Sequence, residues 1–268
     1  MQVVRSADGT AIAVERSGDG PPLVLVGGAF QDRSSMNAVA AGLRDAFTVY
    51  EYDRRGRGGS DDTPPYAIER EVEDLAALIE AAGGPAFVFG QSSGGALALE
   101  AAARGVPVRA LVVNEPPYAE GPTAEFAVRL EKLVEQGRPG EATVAFLALV
   151  GTPPTVIAQM KAAPGWPLRH AFARTLSHEI RLCNNGELPA DRLAAVSAPT
   201  LVLAGETSAA WARDTARAVA DTVSIGRTQV LAGQGHVIDD DVLISVLREF
   251  FLSQRASADR AVCERMHP

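Results

Sequence analysis

The sequence has few cysteines and no excess of basic residues. Cys183 and Cys263 are the only cysteines and form no C-x-x-C pair, so the pattern predicts neither a disulfide framework nor a zinc site. Lysine and arginine together number 25 against 33 aspartate and glutamate residues, which gives a formal net charge of −8. Nucleic acids and anionic membranes bind basic surfaces. We therefore expect neither as a partner.

A targeting segment and a long apolar run are also missing. Arg5, Asp8 and Glu15 interrupt the first residues, so no signal-peptide apolar region is visible, and no run is long enough to cross a bilayer. Together with the scarcity of cysteine, this predicts a cytoplasmic protein. The 268 residues, 47% of them apolar, suit one globular unit with a sizeable core, as a monomer or a homodimer.

Short apolar runs alternate with helix-like segments along most of the chain. We predict strands at residues 3–5, 11–16, 22–26, 47–52, 86–89, 108–114, 200–204 and 224–231. Helical spacing of apolar residues predicts helices at 36–46, 72–79, 96–103, 209–220 and 240–252. This alternation is typical of an α/β fold, in which helices cover both faces of a mostly parallel sheet.

The pattern changes between residues 122 and 192. This segment is helix-like, contains prolines at positions 139, 153, 154, 164 and 167 among others, and shows no convincing strand. We interpret residues 118–195 as a helical cap insertion, which divides an α/β core of residues 1–117 and 196–255. Residues from 254 onward are polar and mixed, and we expect residues 256–268 to form a frayed tail.

Two short motifs are interpreted as structure rather than as binding sites. Residues 54–59 (RRGRGG) resemble a nucleic-acid-binding element, but one such run in an acidic protein favours a tight turn. His178 and Glu179 begin like a zinc-protease motif, yet Leu182 stands where the second histidine ligand belongs. No metal site is predicted.

The strongest chemical motif lies at residues 90–94 (GQSSG), which match G-x-S-x-G between a predicted strand and a predicted helix. The pentapeptide alone is equally compatible with a plain connecting turn, but its position favours a sharp turn that exposes the Ser92 hydroxyl. Glycine on either side removes Cβ atoms that would collide with the strand and the helix. We predict Ser92 as a nucleophile, with the main-chain amide of Ser93 directed at a developing negative charge.

Four stretches together resemble the α/β-hydrolase family: residues 23–30 (LVLVGGAF), 52–60 (YDRRGRGGS), the turn at Ser92, and 233–236 (GQGH). The resemblance covers nearly the whole chain apart from the insertion and the tail. It implies an eight-stranded, mostly parallel sheet and a serine hydrolase that acts on a small molecule without cofactor or metal. His236 then corresponds to the general base, which comes last in the family's chain order. The amides of Ala29 and Ser93 would form the oxyanion hole, although Gly27 replaces the family's usual histidine.

The acid that orients His236 is the uncertain member. The family usually places it in a G-x-x-D pattern after the strand that follows the insertion, but here residues 205–208 read GETS, with Ser208 in place of aspartate. A serine cannot stabilise an imidazolium. Glu115, at the end of the preceding strand, resembles the acid of haloalkane dehalogenases and zearalenone-type lactonases. Glu206 is the alternative, and a purely structural role for Glu115 also stays open.

A serine nucleophile predicts hydrolysis of an ester or lactone through an acyl-enzyme. Apolar residues near the motifs, namely Phe30, Trp166 and Val237, are candidates for the substrate pocket. Analogy with the lactonases gives lactones a mild preference. Two alternatives remain: carbon–carbon bond hydrolysis or a lyase reaction on the same fold, and a non-catalytic ligand-binding homologue.

Overall fold

The structure is a computed structural model that describes residues 1–119, 121 and 123–266, and the side chains of all of these except Leu168 and 257–266. Eight strands form one sheet in the order β1-β2-β4-β3-β5-β6-β7-β8, in which β1 and β2 are antiparallel to their neighbours and the rest are parallel. The strands are β1 (Gln2–Arg5), β2 (Ala11–Ser17), β3 (Pro22–Val26), β4 (Thr48–Tyr52), β5 (Ala86–Gln91), β6 (Val108–Asn114), β7 (Thr200–Gly205) and β8 (Gly226–Leu231). Each bound lies within two residues of its prediction, and the predicted mostly parallel sheet is confirmed.

Helices lie on both faces of the sheet and above its edge. They are α1 (Asn37–Leu43), α2 (Ile68–Ala81), α3 (Ser93–Ala103), α4 (Ala124–Glu135), α5 (Pro139–Leu149), α6 (Pro154–Ala162), α7 (Trp166–His170), α8 (Leu176–Leu182), α9 (Ala190–Leu193), α10 (Ala210–Thr222) and α11 (Asp240–Met266). Among the described residues, none of these helices combines the length and the apolar character needed to cross a membrane.

The core forms two layers because the central strands are buried on both faces. In β3, Val24 and Val26 belong to one apolar cluster, whereas Leu23 and Leu25 belong to the other. This follows from the two-residue side-chain period of a strand. The first cluster packs against α2, α3 and α10, and the second packs against α1 and α11. Because the central strands are parallel, their carboxyl ends lie at the same edge of the sheet, where ligands bind in such folds.

Helices α4–α9 all lie between β6 and β7, and the described part of this segment contains no strand. Helices α5 and α6 begin with proline, which suits the first helical position because its missing amide has no partner there. The apolar faces of α4, α5 and α8 form a third cluster, which also contacts Ala29 and Phe30 of the core. The helical cap therefore packs on the loop that follows β3.

The structure continues α11 as a helix to Met266, through most of the segment at 256–268 for which we expect a frayed tail. Ala256, Ala258 and Ala261 favour helix, and no glycine or proline interrupts the chain before Pro268. Residues 267 and 268 of the predicted tail, and residues 120 and 122 of the predicted insertion, lie outside the described residues.

Candidate active site

Ser92 occupies a strained turn between β5 and α3. Its backbone angles are φ 54° and ψ −123°, in a region that residues other than glycine rarely adopt. A Cβ atom on Gly90 would lie 2.6 Å from Cα of Gly95, and one on Gly94 would collide with the carbonyl oxygen of Val26. Glycine is therefore required at both positions. The turn is held by the Ser92 amide, which donates to the carbonyl of Asn114 at 2.8 Å.

Glu115 and His236 form a direct pair. Glu115 follows β6 with a positive φ of 44°, and its Oε2 lies 2.7 Å from Nδ1 of His236. Its other oxygen, Oε1, accepts the Gly205 amide at 2.8 Å. Burial favours the neutral acid, but the hydrogen bonds from His236 and Gly205 outweigh it and lower the pKa of Glu115. The Glu115 side chain is 1% exposed and that of His236 is 47% exposed, so the pair joins a buried carboxylate to a ring that faces solvent.

Two amide side chains fix the main chain of His236 beside the serine turn. The carbonyl oxygen of His236 accepts hydrogen bonds from Nε2 of Gln91 and Nδ2 of Asn114, each at 3.0 Å. Gln91 immediately precedes Ser92, so His236 and Ser92 lie at the same edge of the sheet. The sequence analysis did not single out Gln91 or Asn114. Their signal was available, because each is a polar residue at the last position of a buried strand.

Glu206, the alternative acid, has a different partner. Its Oε2 accepts the Gly233 amide at 2.8 Å, and the residue is exposed. Of the two carboxylates weighed for this role, Glu115 is the one that contacts the His236 ring. Glu206 instead stabilises the turn that leads toward His236.

The loop after β3 approaches Ser92 closely. A Cβ atom on Gly28 would lie 3.0 Å from Cβ of Ser92. The Gly28 amide donates to Oε1 of Gln31 at 2.6 Å, so it is engaged within the loop, and Ala29 supplies the next amide. On the other side, Ser93 begins α3, where first-turn amides have no partner inside the helix. Gly28 and Ser93 therefore both lie next to Ser92. We call residues 27–30 the oxyanion loop, after the role that the family resemblance implies for the amide of Ala29.

Buried arginines contact the carbonyl groups of this loop. Arg57 donates to the Gly28 carbonyl at 2.6 Å, and Arg54 donates to the Gly27 carbonyl at 3.3 Å. Both arginines also pair with Glu179 of the cap helix α8. Burial and the neighbouring charge of Arg54 lower the pKa of Arg57 to about 9. The predicted tight turn at residues 54–59 is present, and its arginines connect the oxyanion loop to the cap.

Glu179→Gln is expected to destabilise the fold by about 3 kcal/mol, because removal of its charge leaves the buried Arg57 without a carboxylate partner. Glu179 is only 3% exposed, and Arg54, its second partner, also pairs with Glu71. Urea unfolding monitored by tryptophan fluorescence measures the effect. Glu131→Gln is the matched control, because it breaks the pair with Arg181 in the same cap, where both side chains are about one-third exposed. That variant is expected to lose less than about 1 kcal/mol, and an equal loss in both would contradict the prediction.

His178, next to Glu179, gives the stability a pH dependence. Its ring stacks on Tyr66 with centroids 3.7 Å apart, and burial lowers its pKa from 6.5 to about 4. Between these two values the unfolded chain binds a proton that the folded chain does not, so stability falls as pH decreases through this window. We expect His178 to contribute a loss of about 3 kcal/mol between pH 6.5 and 4. Urea unfolding at several pH values should show this loss in the wild type and not in His178→Phe, and parallel curves would contradict it.

His178 and Glu179, which begin like a zinc-protease motif, both have structural partners: Tyr66 stacks on His178, and Arg54 and Arg57 pair with Glu179. In the part of the chain that the structure describes, no group of three histidine, cysteine, aspartate or glutamate side chains is arranged to bind a metal ion.

A cavity of about 280 Å³ lies between the oxyanion loop and the cap helices α6 and α7. Phe30 and Trp166, two of the predicted pocket residues, line it. The other lining residues are Met160, Ala163, Gly165, Arg169 and Phe172. Val237, the third predicted residue, is 83% exposed and does not line this cavity. It follows His236 on the surface of a loop, where an apolar side chain gains little burial.

Comparison with solved structures finds the same fold along almost the whole chain. An alpha/beta hydrolase from Sphaerobacter thermophilus DSM 20745 is 49% identical, with a TM-score of 0.88, over 93% of this chain and 100% of that one. A thermophilic esterase from Thermogutta terrifontis is 25% identical, with a TM-score of 0.73, over 94% of this chain and 98% of that one.

Comparison with curated proteins gives shorter matches. An uncharacterised hydrolase of Bacillus subtilis (strain 168), YraK, is 33% identical over 40% of this chain and 42% of its own. A pimeloyl-[acyl-carrier protein] methyl ester esterase of Stenotrophomonas maltophilia (strain R551-3) is 34% identical over 47% of this chain and 48% of its own. The chain therefore spans less than half the length of these two relatives.

Residues 23–243 match the sequence model of a family described as the alpha/beta hydrolase family. This range begins in β3 and ends in α11, so it includes the serine turn, Glu115, the cap and His236. With the sheet order and the relatives named as hydrolases and esterases, it shows that this chain belongs to the alpha/beta hydrolase family.

Proposed function

We propose that the chain is a serine hydrolase that cleaves a small, largely apolar ester or lactone through an acyl-enzyme on Ser92. The observation that supports this most directly is the 2.7 Å contact between Glu115 and Nδ1 of His236, beside a strained turn that exposes a serine. A carboxylate on one ring nitrogen leaves the other free to act as a base. That is the arrangement that activates a serine hydroxyl in acyl transfer.

In the proposed mechanism, Nε2 of His236 removes the hydroxyl proton as Ser92 Oγ attacks the substrate carbonyl. Glu115 stabilises the imidazolium that forms and maintains its orientation. The amides of Ala29 and Ser93 donate to the oxyanion, and each such donor is worth about 3 kcal/mol of barrier. His236 then protonates the leaving oxygen. Water, activated by the same ring, releases the acyl group and regenerates Ser92.

The proposed substrate class is based on the cavity beside the oxyanion loop and on the curated relatives. The cavity beside the oxyanion loop is lined mainly by apolar and aromatic side chains, which suit an apolar acyl or alcohol group. The S. maltophilia relative is named as a methyl ester esterase, which favours an ester. A lactone is the other candidate substrate, because Glu115, at the end of β6, resembles the acid of the zearalenone-type lactonases.

The test is a panel of short p-nitrophenyl esters and small lactones in ¹⁸O-labelled water, paired with labelling by a fluorophosphonate probe. We expect turnover that places one labelled oxygen in the carboxylate product, and a probe adduct that mass spectrometry locates on Ser92. A product free of ¹⁸O would indicate a lyase reaction instead. Tight ligand binding without turnover or adduct would indicate a non-catalytic receptor and overturn the proposal.

A further inference from the structure

The cavity beneath α6 and α7 contains one charged side chain among apolar ones. Arg169 is half-buried and lies with its guanidinium carbon 5.8 Å from the centroid of the Phe30 ring. The remaining wall is formed chiefly by Met160, Trp166 and Phe172. An arginine side chain is seldom buried among apolar residues unless it has a partner.

Unlike Arg138 and Arg181 of the cap, Arg169 has no carboxylate partner among the side chains that the structure describes. Arg138 pairs with Glu141, and Arg181 pairs with Glu131. Among the side chains that the structure describes, no carboxylate lies within 4.0 Å of the Arg169 guanidinium, and its contact is with an aromatic face. Its hydrogen-bond donors are therefore available to a ligand in the cavity.

The position of Arg169 suits the far end of a bound substrate. Phe30 is two residues from Gly28, where an added Cβ atom would lie 3.0 Å from Cβ of Ser92. Two residues span at most about 7 Å of extended chain. The wall on which Arg169 lies thus borders the loop that approaches Ser92. A substrate that extends from Ser92 past Phe30 can place a second group beside Arg169.

Electrostatics indicates what that group is. A guanidinium pairs best with a carboxylate, which it can bind through two parallel hydrogen bonds. The chain has a net charge of −8, so its overall field repels anions. An unpaired arginine beside the site supplies the local attraction that an anionic substrate would need.

We propose that Arg169 makes this cavity a binding site for a carboxylate, so that the preferred substrates are esters or lactones that carry a carboxylate on the group that enters the cavity. This inference rests on the proposed hydrolase function. It adds the charge of the substrate and the residue that recognises it.

The test compares kcat/KM for monomethyl glutarate and monomethyl adipate with methyl esters of the same length that end in a neutral carboxamide. Wild type is expected to prefer the carboxylates by at least about tenfold, since a hydrogen bond to a charged group is worth that much. Arg169→Met is expected to bring the ratio near one. Arg129→Met is the matched control: Arg129 also lies over a phenylalanine of the cap, Phe126, at 5.7 Å, but outside this cavity. It should keep the wild-type ratio.

Two further results separate the possible failures. If no ester in the panel is cleaved, the proposed hydrolase function fails. If esters are cleaved but the wild-type ratio is one or lower, this inference alone is overturned. Should Arg169→Met not fold, the wild-type ratio is measured in 0.05 M and 0.5 M NaCl. A carboxylate bound by a half-buried arginine predicts a lower ratio at high salt, and an unchanged ratio would contradict it.

Discussion

Ser92→Ala is expected to lower kcat for a short activated ester by on the order of 10⁵-fold, because the nucleophile that forms the acyl-enzyme is removed. The residual rate would come from the oxyanion loop and substrate binding alone. Stopped-flow or spectrophotometric release of p-nitrophenolate measures both rates. The variant should keep its thermal unfolding midpoint within a few degrees, since alanine enters the strained position with a similar Cβ.

Ser93→Ala is the matched control for this prediction. The Ser93 hydroxyl is buried with no hydrogen-bond partner among the described residues, and the substitution preserves the main-chain amide. We expect Ser93→Ala to retain most of the wild-type kcat. Equal losses in the two variants would mean that the turn, rather than the Ser92 hydroxyl, is what matters.

Glu115→Gln is expected to lower kcat by on the order of 10⁴-fold through the tautomer of His236. The Gly205 amide requires an oxygen opposite it at 2.8 Å. The new amide oxygen therefore faces Gly205, and the NH₂ group faces Nδ1 of His236. That ring nitrogen must then accept, so the proton moves to Nε2, the atom that has to remove the proton of Ser92. A ring with its proton there cannot act as the base.

Glu206→Gln tests whether the effect is specific to the carboxylate that contacts His236. Glu206 is exposed and contacts the Gly233 amide, which a glutamine oxygen can also accept. We expect its kcat to stay within about threefold of wild type, in line with a surface substitution. A larger loss in Glu206→Gln than in Glu115→Gln would reverse the assignment of the acid.

Much of the fold could be predicted because its signals are local. β3 is a five-residue apolar run followed by glycine, and the structure places it in the sheet with the predicted bounds. The serine turn could also be predicted, because the glycines at positions 90 and 94, which its close packing requires, are visible in the sequence. The acid required an added step, in which the absence of aspartate at Ser208 directed attention to Glu115.

Other features depend on pairs far apart in the chain. Residues 54–59 predict a turn, but nothing local shows that Arg54 and Arg57 are buried, because Glu179 is more than 120 residues away. The position of Val237 likewise depends on more than its neighbours in the sequence. An apolar residue next to His236 suggested a pocket, yet its exposure depends on how the loop turns, which short-range patterns do not determine.

The shared carboxylate of Glu179 restricts how this enzyme can admit a substrate. Lifting α8 from the sheet would leave the buried guanidinium of Arg57, which supports the carbonyl of Gly28, without its carboxylate partner, whereas Arg54 would keep Glu71. Helices α6 and α7 border the core through Phe30 and apolar side chains, which can part and re-form without stranding a charge. We therefore expect the entrance to open by movement of α6 and α7 away from Phe30, while α8 and the oxyanion loop stay in place.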